Sequence, residues 1–385
     1  MDERSDTTGP LSGLRVVELG GIGPVPLCGM VVSDLGAEVV RVDRPADAGR
    51  EPLVPTLHRG RRSLAIDLKA PEGADLVLRL VDRCDALIEG FRPGVLERLG
   101  LGPEICLARN PRLVYGRMTG WGQDGPLAQE AGHDVNYIAL AGALGAIGPA
   151  EGDPVVPLNL IADMGGGGML LALGVCAGVL RARETGQGQV VDAAMTDGTA
   201  LQLAGIYGLL ARGLWTDRRG TNLLDGAAPF YRTYRCADGG HVAVGCLEPQ
   251  FYAAFLGVLG LDADPLFSDQ HERSAWPAMG ARLEAVFAER PRDEWTAAFA
   301  GHDACVTPVL GLEEAARHPH NAARGTYVVD DTGAVQPGVA PRFRGTPSEA
   351  PGPARPIGAD TDAVLRELGM DDAALAELRE RGVVG

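Results

Sequence analysis

The sequence has no C-x-x-C pair, and its seven cysteines, Cys28, Cys84, Cys106, Cys176, Cys236, Cys246 and Cys305, are odd in number and scattered. That spacing suits neither a disulfide framework nor a zinc site, and it fits a reducing compartment, the cytoplasm. No apolar leader is visible at the start, which reads M-D-E-R-S-D-T-T. The longest uncharged run, Met164 to Leu180, is short and glycine-rich for a membrane span and reads instead as a buried helix. Positive charge is in deficit: Lys+Arg is 35 against 51 Asp+Glu, a net charge of −16. That sign argues against nucleic acid or an anionic membrane as the main partner, because both require clustered cations. A small anionic ligand held by a few local arginines is not excluded. G-x-S-x-G, H-E-x-x-H and the P-loop are also missing, which argues against serine hydrolases, zinc proteases and kinases.

What is present is a chain of 385 residues, 45% apolar, with 54 glycines and 27 prolines. That length suits one large or two ordinary domains, with a sizeable core and many tight turns. Leu14–Leu19, Glu38–Asp43, Ser63–Leu68, Ala86–Ile88 and Leu113–Met118 read as strands. They alternate with helical patterns at 25–36 and from Pro71 onward, so parallel βαβ units in an α/β domain are expected. Gly165–Arg183 reads as one apolar helix, Gly188–Ala194 as a strand and 196–215 as helical. Beyond that the pattern changes. Phe230–Cys236 and His241–Cys246, joined by A-D-G-G, form a predicted β-hairpin. Helices follow near 249–260, 276–290 and 292–300, which makes a smaller α+β domain. Residues 335–357 are a Pro- and Gly-rich linker, and Asp360 and Asp371 are placed to cap two last helices.

Five groups of residues are candidates for chemistry. Gly21-x-Gly23 with Asp43 faintly resembles a dinucleotide fingerprint, but Pro26 stands where the third glycine belongs, so a glycine-rich turn is the better reading. His133, in A-G-H-D-V-N-Y, follows a turn-rich loop; Gly132 permits close approach, and Asp134, Asn136 and Tyr137 add polar groups. Asp163 stands between an apolar run and four glycines, Gly165–Gly168. Read as the opening of a helix, those glycines would admit a bulky group and turn N–H donors toward a developing oxyanion. Arg44, Lys69, Arg92 and Arg98 are scattered cations near strand ends, where ligands of open α/β sheets bind. Glu248, in G-C-L-E-P-Q, is equally well read as a solvated helix-start acid.

Longer segments carry a resemblance. P-L-S-G-L-R-V-V-E-L, I-E-G-F-R-P-G-V-L-E-R-L-G-L-G, R-M-T-G-W-G-Q-D-G-P, G-H-D-V-N-Y, N-L-I-A-D-M-G-G-G-G, G-Q-G-Q-V-V-D-A-A-M-T-D-G and D-A-C-V-T-P-V-L together resemble the family III CoA-transferases (the CaiB/BaiF group) over nearly the whole chain. The G-H-D-x-N-Y and N-L-x-A-D-x-G-G-G pair is similar to the racemase branch of that family. The resemblance implies a large Rossmann-like CoA-binding domain over 1–195 and a helical connector over 196–228. A small α+β domain over 229–325 and a return linker with C-terminal helices over 326–385 would follow. Two chains would interlock as a homodimer. His133 and Asp163 would be the catalytic acid/base pair, with Glu248 hydrogen-bonded to His133. Arg44, Lys69, Gly90, Arg92 and Arg98 would contact the CoA moiety, and His133 through Tyr137, with Asp134 among them, would line the thioester end.

The implied reaction in lipid and fatty acid metabolism is racemisation of a 2-methylacyl-CoA at Cα. It needs one group on each face of the carbon, each an acid in one direction and a base in the other. It calls for no metal or redox cofactor. The alternatives are a CoA-transferase in which Asp163 is the nucleophile, and a non-catalytic acyl-CoA binder. The transferases of this family carry a glycine-rich loop in the small domain, and residues 240–310 hold no such run.

Overall fold

A computed structural model of the chain describes residues 8–330 and 332–385. The β-branched runs form strands as the periodicity requires: β1 (Arg15–Leu19), β2 (Glu38–Asp43), β3 (Arg62–Ala65), β4 (Ala86–Glu89), β5 (Val114–Thr119) and β6 (Gln189–Ala194). They make one parallel sheet in the order β3-β2-β1-β4-β5-β6. Every residue of β4 and β5 is buried, as expected of strands covered on both faces. The helices α1 (Pro24–Asp34), α2 (Pro71–Val81), α3 (Val95–Arg98) and α4 (Pro103–Arg109) lie between strands. Proline opens α1, α2 and α4, where its missing N–H is not needed. One face of the sheet packs Val17, Leu19, Val40 and Val42 against Leu76, Val77 and Leu80 of α2, together with Leu365 and Leu375 near the C-terminus.

The chain divides into two compact units. The first takes the chain up to Ala141, Leu158–Gln202 and His320–Gly385; the second takes Gly142–Pro157 and Leu203–Pro319. The second unit holds the antiparallel β7 (Tyr231–Arg235) and β8 (His241–Gly245), with β9 (Val306–Val309) added beside β8. Its core is aromatic: Tyr234 stacks on Phe287 at 4.9 Å, and Phe255 lies parallel to Phe299 at 5.9 Å. The predicted hairpin and helices are all present, but β9 was not foreseen. Its V-T-P-V sequence carries Pro308, tolerated here because β9 is an edge strand. The stretch read as a linker likewise contains a strand, β11 (Val335–Pro337), paired with β10 (Tyr327–Val329).

The C-terminal segment closes the β3 edge. Ala65 N–H donates to Thr361 Oγ1 at 3.1 Å, and Gly385 N–H donates to the Ala65 carbonyl at 3.0 Å. Asp360 departs from its expected role. Its side chain accepts from Ser63 N–H at 3.0 Å instead of capping the helix Thr361–Glu367. Asp371 does cap its helix, accepting from Ala374 N–H at 2.9 Å.

The apolar segment around Asp163 differs from the expected single α-helix. It starts at Leu160 as a π-helix (Leu160–Gly168) and continues as an α-helix (Met169–Thr185). The four glycines are therefore interior to a helix and do not open one. Gly166, Gly167 and Gly168 are buried against protein. A Cβ at Gly166 would stand 2.9 Å from the Gly198 carbonyl carbon; at Gly167, 3.0 Å from Pro24 Cβ; at Gly168, 2.7 Å from the Pro24 carbonyl oxygen. Among the described residues, Leu160–Thr185 is the one helix long and apolar enough to cross a membrane by length and composition. It is not buried all round: Leu171, Val175 and Val179 are buried, while Leu173 and Leu180 are exposed.

Gly198, in the helix Met195–Gln202, completes this crossing, since a Cβ there would lie 1.9 Å from the Gly166 carbonyl oxygen. Gly198→Ala is expected to destabilise the fold by about 3 kcal/mol, the upper end of overpacking costs. Gly257→Ala, at a helical position with open space around it, should be neutral or slightly stabilising. Equal denaturation midpoints for the two variants would refute the tight crossing.

Candidate active site

Ligands of open parallel sheets bind beyond the carboxyl ends of the strands, at the point where strand order reverses, here between β1 and β4. Both loops at that point carry glycine for close approach. Gly20, Gly21 and Gly23 follow β1 with φ of 55°, 125° and 73°. Gly90 follows β4, and a Cβ on it would lie 3.0 Å from Val25 Cγ2 and 3.4 Å from the Gly21 Cα. The loops therefore approach closely, with only the Val25 and Phe91 side chains filling the space that a Cβ at Gly20, Gly21 or Gly90 would need.

Asp163 stands over this junction. A Cβ at Gly23 would be 3.2 Å from Asp163 Oδ2. The π-helix sets the direction of Asp163, and Asn159, four residues earlier, donates to its Oδ2 at 3.1 Å. Leu158, just before Asn159, has φ of 58°, a left-handed conformation that a branched-chain residue seldom adopts and that clusters at functional sites. Burial raises the proton affinity of Asp163; the Asn159 amide lowers it, the Asp134 carboxylate raises it and His133 lowers it. His133 is thus within electrostatic reach of Asp163.

His133 comes from the loop after β5 and is the N-cap residue of α5 (Asp134–Leu140). Its backbone N–H donates to Asn136 Oδ1 at 3.0 Å, and Asn136 N–H donates back to its carbonyl at 2.8 Å. The side chain is exposed. Asp134 is buried, and its Oδ2 accepts from Ala162 and Asp163 N–H, each at 2.8 Å. Tyr137 is buried too. Its ring stands edge-on to Trp121 at 4.8 Å, and its hydroxyl donates to the Gly132 carbonyl at 2.5 Å. The close approach foreseen at Gly132 is therefore taken by Tyr137, since a Cβ there would meet the ring at 2.7 Å. Burial and the Asp163 charge hold the Tyr137 phenol above its ordinary range, against Arg92.

The cations follow the strand ends. Arg44 is exposed after β2; Lys69, the sole lysine of the chain, is exposed between β3 and α2; Arg92 and Arg98 are exposed after β4. Beneath Arg92 lies a feature the sequence reading missed. Glu89, at the end of β4, is fully buried; its carboxylate accepts from Phe91 N–H at 2.7 Å and from Arg117 Nε at 3.0 Å. Arg117 also pairs with Glu97 of α3 at 2.8 Å. This chain of charges fixes the R-P-G loop from below. Burial pushes Glu89 up to about 7, opposed by the Phe91 N–H and Arg117.

Glu248 lies in the second unit. It is exposed at the N-cap position of the helix Pro249–Leu259, without a side-chain cap bond, and close enough to Cys305 to raise the affinity of that thiol for its proton. All seven cysteines are free thiols. Among the described residues, no group of three or more His, Cys, Asp or Glu side chains is placed to hold a metal ion.

A parallel sheet of this order, with glycine-rich loops and the Asp163 carboxyl group at its switch point and cations after β2, β3 and β4, defines an α/β protein of the doubly wound class. The sequence pattern of CoA-transferase family III matches residues 11–361, and the chain belongs to that family. It is 45% identical over 375 residues to an alpha-methylacyl-CoA racemase of Mus musculus, and 46% identical over 375 residues to that of Homo sapiens. Each match covers 97% of both proteins. The crystal structure of a CAIB/BAIF family protein from Brucella suis superposes with a TM-score of 0.81 at 27% identity, covering 94% of this chain and 100% of that one.

Glu89 generates a pH prediction. Its affinity for a proton is higher folded than unfolded, so between about 4.5 and 7 the fold holds a proton that the unfolded chain has released. Its contribution to stability is therefore full below that window and falls as pH rises through it. Relative to Glu89→Gln, the wild type should lose about 2–3 kcal/mol between pH 4.5 and 7.5. Parallel stability curves from urea titrations would refute this.

Proposed function

We propose that the protein interconverts (2R)- and (2S)-2-methylacyl-CoA thioesters by 1,1-proton transfer, with His133 and Asp163 on opposite faces of the substrate Cα. It is an enzyme of the isomerase class, a racemase. The observation that carries the reading is the tie between the two elements: Asp134, next to His133 at the start of α5, accepts the backbone N–H of Asp163 at 2.8 Å, and the His133 charge is felt at the Asp163 carboxyl. A single base cannot serve both faces of a stereocentre, and two can. One group removes the Cα proton, an enolate forms, and the other delivers a proton to the opposite face. Full-length identity to proteins named alpha-methylacyl-CoA racemase supports it.

The expected oxyanion donors change. The glycine run is interior to its helix, and the N–H groups of Ala162 and Asp163 are taken by Asp134. The N–H groups of Asp134 and Val135, the first two of α5 beside His133, have no carbonyl within their own helix and are the better donors to an enolate oxygen. Arg44, Lys69, Arg92 and Arg98 bind the CoA phosphates, Gly90 admits the CoA chain, and Tyr137 and the backbone of Asp134 shape the thioester end, the Asp134 side chain being turned away to the Ala162 and Asp163 N–H groups. Two-base racemisation needs no cofactor beyond the CoA already in the substrate. The reading places the enzyme in the cytoplasm, in branched-chain lipid metabolism.

An interlocked homodimer is part of this reading. The helix Ala204–Ala211 is apolar, yet none of its residues is buried, and Tyr207 is 56% exposed. An uncovered apolar helix of this kind marks a partner surface. In the domain plan, 1–195 binds CoA, 196–228 connects, 229–325 forms the small domain and 326–385 returns to the first.

The family name favours one other reading, CoA transfer. There the Asp163 carboxylate would attack the thioester carbonyl and expel CoA thiolate to form a mixed anhydride; the thiolate would then attack the aspartyl carbonyl of that anhydride, releasing the donor acid as its carboxylate and leaving an aspartyl-CoA thioester. Two experiments separate the readings. Incubation with (2R)-2-methylacyl-CoA in D₂O should yield both epimers with deuterium at Cα; no exchange over a panel of branched substrates would refute the racemase. His133→Ala should lower kcat by roughly 10²-fold or more while CoA affinity stays within about twofold. A hydroxamate at Asp163 after hydroxylamine trapping would favour the transferase.

For the assembly, light scattering should give a dimer, and Tyr207→Asp should weaken it. A wild-type monomer at micromolar concentration would overturn the dimer.

A further inference from the structure

We propose that the Asp134 side chain is a positioning residue that binds His133 and Asp163 into one proton-transfer unit, acting through its two backbone hydrogen bonds and its charge instead of touching the ligand. The proposal rests on the racemase reading and deepens it.

Asp134 is next to His133 in the chain, on the first turn of α5, and only 4% exposed. Its Oδ2 accepts the N–H groups of Ala162 and Asp163, both at 2.8 Å. The first N–H groups of a helix have no partner inside it, so this carboxylate completes the start of the π-helix. One of the two donors is the backbone of Asp163 itself. The element bearing His133 is thereby clamped to the residue expected to face it. Any movement of α5 moves both groups together.

A neutral cap would give the same geometry. Asn serves as well as Asp at helix starts, and it would avoid burying a charge. Here an acidic side chain stands with no ion-pair partner among the described residues, and its Oδ1 is buried without any hydrogen bond. The position thus carries a cost that capping alone does not explain. The effect of the charge falls on Asp163, whose hold on its proton it strengthens. A carboxyl group that must deliver a proton to carbon needs that help.

The other groups facing Asp163 are few. From α5 come His133 and Tyr137; from its own segment, Asn159; from the start of α1, Gly23, without a side chain. The helix Met195–Gln202 brings the uncharged Gln202, which donates to the Ile161 carbonyl at 3.0 Å. Arg92 is felt at Tyr137. Asp134 is therefore the one carboxylate acting on Asp163 among these neighbours.

Asp134→Asn separates charge from geometry, because the amide oxygen still accepts both N–H groups. In Asp134→Asn the limb of the kcat/KM pH profile due to Asp163 should move at least half a pH unit lower, and kcat at pH 7 should fall severalfold. KM and Tm should stay close to wild type. Asp134→Ala, which loses the clamp as well, should lose at least tenfold more in kcat. A ¹³C NMR titration of the Asp163 carboxyl should show the same downward shift with no substrate present. Wild-type exchange of Cα deuterium with an unchanged profile and titration in Asp134→Asn would overturn this proposal alone. Absence of wild-type exchange would overturn the racemase reading and the catalytic role with it, while the titration would still report whether the two carboxyls are coupled. If Asp134→Ala does not fold, Asp134→Asn decides the matter.

Discussion

Asp163 reaches the switch point because two backbones cross with almost nothing between them. The π-helix runs past the helix Met195–Gln202 at Gly166 and Gly198, and past the start of α1 at Gly167 and Gly168. Each glycine costs roughly 1 kcal/mol relative to alanine inside a helix, and the tertiary contact made possible by their small size offsets that penalty. A wider helix, with one more residue per hydrogen-bonded turn, also rotates Asp163 relative to the α-helix that follows; such segments recur at functional sites. If side chains were present at this crossing, the π-helix would stand off from α1, and Asp163 would leave Gly23. The placement of the carboxyl group is therefore a packing property before it is a chemical one.

This explains why the glycine run is easy to misread. Four glycines beside a candidate acid look like room for a ligand, and the neighbours that fill the room, Pro24, Leu27 and Gly198, are remote in sequence. The parallel sheet was legible because β1, β2, β4 and β5 are short segments rich in Val, Leu and Ile bounded by turn residues, even though Glu18, Arg41 and Arg117 are buried among them. β9 was hidden by Pro308, and β11 by the surrounding Pro and Gly. Asp360 was read as a cap because local sequence allows it; its actual partner, Ser63, is 297 residues away. At the site, His133 and Asp163 stood out through unusual flanks. Asn159 and Glu89 did not, although Asn159 is spaced four residues from Asp163 and Glu89 ends an apolar run, the pattern of a buried strand-end carboxylate.

The acidity of the whole chain is no obstacle to a phosphate ligand. At physiological ionic strength the Debye length is about 8 Å, so most of the −16 net charge is screened from any one pocket. Local order decides, and the sheet supplies it: the ends of β2, β3 and β4 deliver Arg44, Lys69, Arg92 and Arg98 to one edge, while Glu89 on that edge is buried beneath its loop and tied to Arg117. The cations face outward and the nearest buried carboxylate is turned inward.

In the proposed reaction the equilibrium constant between epimers is close to one, and this constrains the acid/base pair. Each turnover exchanges their protonation states, so the two proton distributions should not differ much in free energy. In model peptides an imidazole and an aspartic carboxyl differ by about 2.6 pKa units, or roughly 3.5 kcal/mol. Left so, the form with the proton on the carboxyl would be scarce by a factor of several hundred, and one direction would starve. Burial of Asp163 and the adjacent charge of Asp134 both raise its proton affinity, whereas the Asn159 amide and His133 restrain it. The net direction is upward for Asp163, the direction that this balance requires of the carboxyl partner. Half-burial of the carboxyl group is therefore what the proposed pair requires of its weaker base, and the buried Asp134 carboxylate, one residue from His133, both adds to that effect and ties α5 to the backbone of Asp163.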